Sequence, residues 1–211
     1  MFKSLKKLSK IATTSALVLA LTAISAINVN AYEYWGPSSN RYKISTGVSS
    51  GSYMNNAVDS YNHNGTIYTF GTAFNGAFNE WNNLTESNIL NGSGTTKVRT
   101  EGQNYGDLDL WGWAEMYVGG MNGTRVSGFR GETGPSKSWD FAWVYLNAFD
   151  INESSLSYNQ YRGTAIHEVG HALGLAHERD GTPSVMNDIS YINNGWLVPQ
   201  TDDINGINNL Y

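Results

Sequence analysis

The stretch that decides the fold is His167-Glu168-Val169-Gly170-His171-Ala172-Leu173-Gly174-Leu175-Ala176-His177, which reads H-E-x-x-H-x-x-G-x-x-H. His167 and His171 are four residues apart, so on a helix both imidazoles project from one face and can bind one metal ion. Glu168 stands beside the first of them, where the general base of a zinc hydrolase belongs. Gly174 can adopt a positive φ and turn the chain, so that His177 returns as a third ligand.

Three protein ligands with an open fourth position are typical of a catalytic zinc site, whereas a structural site is usually closed by four. The chain has four histidines, and three of them lie in this motif. The alternative is an amphipathic helix with surface histidines, which a glycine and a third histidine at fixed spacing disfavour. The motif therefore predicts one zinc ion held by His167, His171 and His177, with Glu168 as the catalytic base.

The extended motif resembles the zinc signature of the metzincin metallopeptidases, and its flanking residues resemble the matrixin branch. Met186, shortly after the third histidine, resembles the Met-turn, in which a thioether lies beneath the metal ligands. The stretch 199–211 looks like the last matrixin helix, with Thr201 as its cap. The resemblance covers roughly residues 41–211, although its specific motifs begin at His167. It implies a zinc metalloendopeptidase, matrixin-like and of the bacterial secreted branch.

The fold implied by this resemblance is α+β: a twisted mixed sheet of about five strands, mostly parallel with one antiparallel edge, and about three helices. The sequence patterns are consistent with that fold. A capping box of Ser157 and Gln160 predicts a zinc helix from about Tyr158 to about Leu173. Apolar residues at helical spacing predict a second helix over 73–84. Alternating or aromatic runs predict strands at 41–45, 95–100, 110–118 and 139–149.

In metzincins the strand two before the zinc helix is an exposed edge that pairs with the substrate backbone, and 110–118 occupies the matching place. We therefore predict that Trp113, Ala114, Glu115 and Met116 bind an extended polypeptide through main-chain hydrogen bonds. The alternative is an ordinary interior strand. Tyr191 is predicted to lie at the specificity pocket, or alternatively to reach the zinc or the oxyanion. The segment 187–191 lacks the proline that matrixins often have there.

The N-terminus has the pattern of a secretory signal peptide. Residues 1–31 contain a basic region, an uncharged apolar run and a small-x-small cleavage site, which predicts removal after Ala31 and a catalytic domain at 32–211. The alternative, a retained anchor, is disfavoured because the apolar run is short for a bilayer. We expect a secreted, extracellular protein, from a Gram-positive bacterium, with no stable membrane insertion after cleavage.

The charge balance limits the class of partner. The chain has 13 Lys and Arg against 18 Asp and Glu, and four of the lysines lie within residues 1–31. The mature chain therefore has 9 basic residues and a net charge of −9. Nucleic acid is not expected as a partner of such a chain, and a monomer is the expected state. Calcium is a second candidate ion, because Asp107 and Asp109 have a spacing found in calcium loops.

The chain has no cysteine, so neither disulfides nor a cysteine that blocks the zinc can operate within it. Two other functions remain open at this stage. One is a zinc-binding surface or adhesin-type module without proteolysis, against which the retained Glu168 argues. The other is a metallohydrolase of cell-wall peptides. The predicted edge strand favours extended polypeptides as substrates.

Overall fold

The computed structural model describes residues 32–92, 95–131, 133–188 and 190–211. The predicted signal peptide, 1–31, lies outside the described residues. Within them the chain forms eight strands and five α-helices. The strands are β1 (Ser52–Asn55), β2 (Tyr61–His63), β3 (Thr66–Tyr68), β4 (Leu90–Asn91), β5 (Thr96–Gln103), β6 (Gly112–Val118), β7 (Thr124–Arg125) and β8 (Phe141–Asn147). The helices are α1 (Phe70–Leu84), α2 (Ala148–Glu153), α3 (Tyr158–Leu173), α4 (Ser190–Asn193) and α5 (Thr201–Leu210).

The main sheet has the strand order β4-β1-β5-β8-β6-β7. The strands β4, β1, β5 and β8 are parallel, and β6 joins β8 in antiparallel orientation. The short β7 then pairs antiparallel with the last residues of β6. The prediction of an α+β fold with a mixed sheet and an antiparallel edge is thus confirmed, with six strands in place of about five.

Two long helices, α1 and α3, pack together over the sheet. Phe74, Phe78 and Trp81 of α1 are fully buried, as their helical spacing predicts. The indole Nε1 of Trp81 donates to the carbonyl of Ile166 over 2.9 Å, which ties α1 to the zinc helix. Trp139 makes a similar bond to Ala172 over 3.2 Å. Buried indoles that satisfy their N–H groups on α3 therefore fix where this helix lies.

The zinc helix has the predicted bounds, Tyr158–Leu173. The side chain of Gln160 accepts a hydrogen bond from the backbone N–H of Ser157, so the predicted capping box is present. At the other end, Gly174 has a φ of 124°, as predicted for a residue that turns the chain. A side chain at Gly174 would also collide with Leu210 of α5. The C-terminal helix is capped by Gln200, so the prediction of Thr201 as its cap is wrong by one residue.

Other predictions fail in the N-terminal part. The stretch 41–45 is not a strand: it makes one isolated bridge, Ile44 to Trp139, and the hydroxyl of Tyr211 accepts from the amide of Ile44. The strand forms instead at Ser52–Asn55, where Tyr53 stacks on Phe78 at 3.8 Å. Tertiary packing, which a short alternating run does not encode, decides between them. In the described residues, no helix has the length and apolarity needed to span a membrane.

Candidate active site

The three histidines of the motif converge on one point. The Nε2 atoms of His167 and His177 are 3.1 Å apart, and those of His171 and His177 are also 3.1 Å apart. Two zinc–nitrogen bonds at a tetrahedral angle place their nitrogens about 3.3 Å apart. Among the described residues, these three histidines form a cluster of side chains that could hold a metal ion.

Backbone carbonyls set the tautomers of two ligands. The Nδ1 of His167 lies 2.7 Å from the carbonyl oxygen of Val185, and the Nδ1 of His171 lies 2.8 Å from that of Leu175. A carbonyl only accepts, so each Nδ1 carries the proton and each Nε2 presents a lone pair to the common point. The chain that follows α3 therefore orients the ligands as well as supplying the third one.

Burial keeps the cluster in the form that binds a metal. It lowers the pKa of His167 to about 3 and places the pKa values of His171 and His177 below their usual range. The imidazoles are neutral at neutral pH as a result, with their lone pairs free. Neutral imidazoles in a site without cysteine suit zinc among the common protein metals. The residues thus fit the ion that the motif implies.

Glu168 is the remaining titratable group at the centre. It is buried, and this burial raises its pKa to about 8. The edge of β6 comes close to it, because a Cβ on Gly112 would lie 3.0 Å from the Glu168 Cγ. Gly112 therefore allows the strand to pass directly beside the carboxyl group. A carboxyl with a raised pKa can both accept and return a proton near neutral pH.

The cluster opens into a cavity of about 480 Å³. Its lining includes two of the predicted strand residues, Ala114 and Met116, together with Tyr191 and Glu168. Trp113 also contributes to the lining, although its ring stacks on Tyr145 at 4.7 Å. Met186 lies under the ligands: a Cβ on Gly170 would be 2.4 Å from the Met186 sulfur.

Part of the predicted edge is exposed as an edge and part is covered. The carbonyls of Trp111 and Tyr117 accept hydrogen bonds from β8 residues or their neighbours, so the odd-numbered residues of this stretch direct their backbone polar groups towards β8. The even-numbered residues of β6 direct theirs to the opposite side, away from β8. Met116 is already engaged there, because its carbonyl accepts from the amide of Val126. No described strand pairs with Ala114 on that side. Gly112 and Ala114 are therefore the part of the edge that no described strand pairs with, although Gly131 lies close to the Ala114 carbonyl.

Glu115 is placed differently from the prediction. It is 5% exposed and does not line the cavity. Its carboxylate accepts from the Tyr117 hydroxyl at 2.7 Å and from the Arg130 backbone amide at 2.9 Å, and it forms an ion pair with Arg125 at 3.3 Å. Its role in the structure is to hold the chain segment that follows β7.

Tyr191 reaches the site through its ring. The ring stacks on His167 with centroids 4.8 Å apart, and the hydroxyl lies 3.0 Å from the Thr164 hydroxyl. Asp107 and Asp109 are exposed, and calcium binding there stays a prediction. Their loop is held by side chains: the Asp150 carboxylate accepts from the amides of Leu108 and Leu110.

Several lining residues were missed from the sequence. Thr164 lies one turn before Glu168, so helical spacing from the motif was a usable signal. Trp35 gave no such signal, yet its ring lies 5.4 Å from that of His171 and lines the cavity. Arg130 and Arg179 also line it, and nothing local in the sequence marks them.

The fold and the site resemble those of the metzincin class: a mixed sheet with an antiparallel edge lies beside three histidines that could hold one metal ion. The model of the matrixin family, Peptidase_M10, matches residues 128–211, the part that carries the ligands, Met186 and α5. This match confirms the resemblance to matrixin metallopeptidases that the motif predicts.

Three individual proteins are similar to parts of this chain. Over 66 residues the chain is 37% identical to macrophage metalloelastase of Oryctolagus cuniculus, which is 29% of this chain and 14% of the relative. A structure titled as the GM1-bound form of the ECX AB5 holotoxin aligns at a TM-score of 0.53 with 18% identity, over 80% of this chain and 82% of that one. It shares the fold. The structure of myroilysin aligns at a TM-score of 0.33, with 21% identity over 64% and 54% of the chains, which does not indicate a shared fold.

Proposed function

We propose that this chain is a secreted zinc-dependent endopeptidase that hydrolyses peptide bonds in extended polypeptides. The observation that carries the proposal is the convergence of three imidazole Nε2 atoms beside the buried carboxyl of Glu168 in an open cavity. His167, His171 and His177 would hold the ion. Bound there, zinc supplies polarisation of the scissile carbonyl and lowers the pKa of a water molecule towards neutrality.

The chain's own residues supply the remaining steps. The Glu168 carboxylate takes the proton of the attacking water and passes it to the leaving amine, for which a pKa near the working pH is suited. The free amides and carbonyls of Gly112 and Ala114 pair with the substrate backbone by β-augmentation. Because main-chain pairing does not depend on side chains, a polypeptide of varied sequence fits this edge.

Export is part of the proposal. The pattern of residues 1–31 supports cleavage after Ala31 and a catalytic domain at 32–211, released from a Gram-positive cell as a monomer. N-terminal sequencing of the protein from the culture medium tests it, with Tyr32 as the expected first residue. An N-terminus within 1–31 would contradict the proposed cleavage.

The test of the activity compares the zinc-loaded wild type with Glu168→Ala on an unfolded protein such as casein, with a chelator control. The variant should retain zinc and fold but lose about 10²–10⁴-fold in turnover. Full activity in Glu168→Ala would contradict the assigned base. A zinc-loaded wild type that cuts no protein would favour the adhesin-type module. Cleavage of cell-wall peptides without cleavage of casein would favour the cell-wall hydrolase.

A further inference from the structure

Two arginines line the cleft of a chain whose predicted mature form has a net charge of −9. They are Arg130 and Arg179. The ion pairs found in the described residues are Arg125 with Glu115 and Arg162 with Glu80, so among these residues no carboxylate lies within 4 Å of the guanidinium of Arg130 or Arg179. An unpaired cation in a cleft attracts an anionic group of a ligand, most strongly where low-dielectric walls focus the field.

Arg130 is held in place by its backbone. It has a φ of 53°, a left-handed conformation that an ordinary side chain adopts only at an energetic cost. Two contacts offset this cost: the Glu115 carboxylate accepts from its amide at 2.9 Å, and the Gly128 amide closes the loop on the Thr133 carbonyl at 2.8 Å. The guanidinium lies over the Phe129 ring, 4.7 Å from its centroid. A buried acid therefore fixes the backbone from which this arginine side chain projects.

The location along the cleft follows from the neighbouring residues. A Cβ on Gly131 would lie 3.5 Å from the Ala114 carbonyl, whereas Glu168 lies beside Gly112. Arg130 thus stands beside the middle of β6, two to three residues along the strand from Gly112 and the catalytic carboxyl. On the same side, Gly134 packs against the Trp35 ring. A peptide paired with this edge passes Arg130 on one side of its scissile bond only.

Arg179 is the weaker of the two cations. It follows Glu178, which bridges Asn187 in parallel, so Asp188 lies next to it and lines the same cavity. Asp109 is a further acidic residue of the lining, and it lies on the other wall of the cavity together with Leu110 and Trp111. Of the two arginines among the described lining residues, Arg130 is therefore the one that lies farther in the chain from the nearest of these aspartates.

We propose that Arg130, supported by Arg179, forms a subsite for the carboxylate of an Asp or Glu side chain in the substrate. The inference rests on the proposed function and narrows its substrate class: polypeptides with an acidic residue at one fixed position on one side of the cleaved bond. A guanidinium provides paired donors that match a carboxylate, and Phe129 limits its freedom.

The experiment uses quenched fluorescent peptides that carry Glu, Gln or Lys in turn at each position around one scissile bond. The zinc-loaded wild type should show kcat/KM about three- to tenfold higher for Glu than for Lys at one position. Added salt should reduce this ratio, since the subsite is partly open to solvent. Arg130→Glu should reverse the preference, and Arg179→Glu should reduce it. Lys137→Glu makes the same charge change on the same loop outside the cavity, and should leave the preference as it is.

A binding arm separates this inference from the proposed function. Zinc-loaded Glu168→Ala is titrated with the Glu and Lys peptides by calorimetry, which measures the preference without turnover. Cleavage of all peptides at equal rates, or a preference unchanged in Arg130→Glu, would overturn the acidic subsite and leave the peptidase standing. A preference in binding with no cleavage by the wild type would support the subsite and contradict the peptidase. Absence of both binding and cleavage would overturn both.

Discussion

Two regions of the molecule meet at the cleft, and they are held by different means. The ligand frame comprises α3 and residues 174–187, in which backbone carbonyls of the segment after α3 accept from two of the histidines. The cleft walls comprise residues 105–111, 127–131 and 133–135, and they are held by side chains from elsewhere in the fold: Asn147 and Asp150 for 105–111, and Glu115 for the segment around Arg130. The histidines are thus positioned by contacts within one continuous stretch of the chain. The surface proposed to select a substrate is positioned by polar contacts between distant segments.

The largest expected effect concerns the charge inside the ligand frame. Burial raises the pKa of Glu168 from 4.5 to about 8. Between these two values the folded, metal-free chain retains a proton that the unfolded chain has released, so this carboxyl lowers the free energy of unfolding as the pH rises. Glu168→Gln removes the charge without changing the shape. After chelation, the variant should match the wild type near pH 4.5 and exceed it by about 3–5 kcal/mol above pH 8.

Urea unfolding of both chelated proteins across this pH range is the measurement. The histidine contributions are common to both proteins and cancel in the difference. A difference in the free energy of unfolding that stays constant across this pH range would show that the carboxyl titrates alike in the folded and unfolded chain. Glu168 would then not lie in a desolvated environment.

The next effect tests packing within the ligand frame. A Cβ on Gly170 would lie 2.4 Å from the Met186 sulfur and 2.9 Å from the Trp81 ring, both buried. Gly170→Ala should therefore cost about 2–3 kcal/mol of stability and weaken zinc binding, because the floor beneath the ligands must move. Gly76→Ala on α1 is the control, since its Cβ meets only the flexible side chain of Arg162. Equal stability of the two variants would show that the Met186 side chain can move away from the added methyl group at no cost.

A smaller effect is expected in the cleft walls. Asn147 accepts from the amides of Tyr105 and Phe149 and donates to the Gly106 carbonyl and the Asp150 carboxylate. Asn147→Ala should cost about 1–2 kcal/mol by leaving these groups unpaired. Without these hydrogen bonds, residues 105–111 should be held less firmly in the cleft wall. We therefore expect KM to rise several-fold, with little change in kcat.

Asn152→Ala is the matched control, because that side chain bonds to Thr66 and Tyr68 of the β2–β3 hairpin, away from the cleft. Peptide kinetics and thermal unfolding of both variants measure these effects on KM, kcat and stability. A fall in kcat with unchanged KM in Asn147→Ala would assign the 105–111 wall to the chemical step and remove the contrast between frame and walls.

The same contrast explains what the sequence could predict. The bounds of α3, the turn at Gly174 and the packing of α1 followed from spacing and capping within a few residues. Arg130 could not be found in this way, because its direction depends on Glu115, which is adjacent only after β6 and the loop have folded. His63, the histidine outside the motif, is likewise buried at the end of β2, where its ring lies near Phe149. Pairing between distant segments has no local signature, and these residues depend on it.

The smallest expected effect lies at Tyr191, which packs against the ligand frame. Its ring stacks on His167, and its hydroxyl meets the Thr164 hydroxyl at 3.0 Å. Tyr191→Phe keeps the stacking and loses one hydrogen bond, so we expect a cost of about 0.5–1 kcal/mol and a two- to threefold fall in kcat/KM. A residue that stabilises the oxyanion would instead cost about 10²–10³-fold in kcat. A double-mutant cycle with Thr164→Val separates these roles, because a coupling about equal to the Tyr191→Phe effect assigns the hydroxyl to Thr164. A large loss in Tyr191→Phe that is additive with Thr164→Val would place the hydroxyl on the substrate, and a residue outside the ligand frame would then share in the chemistry.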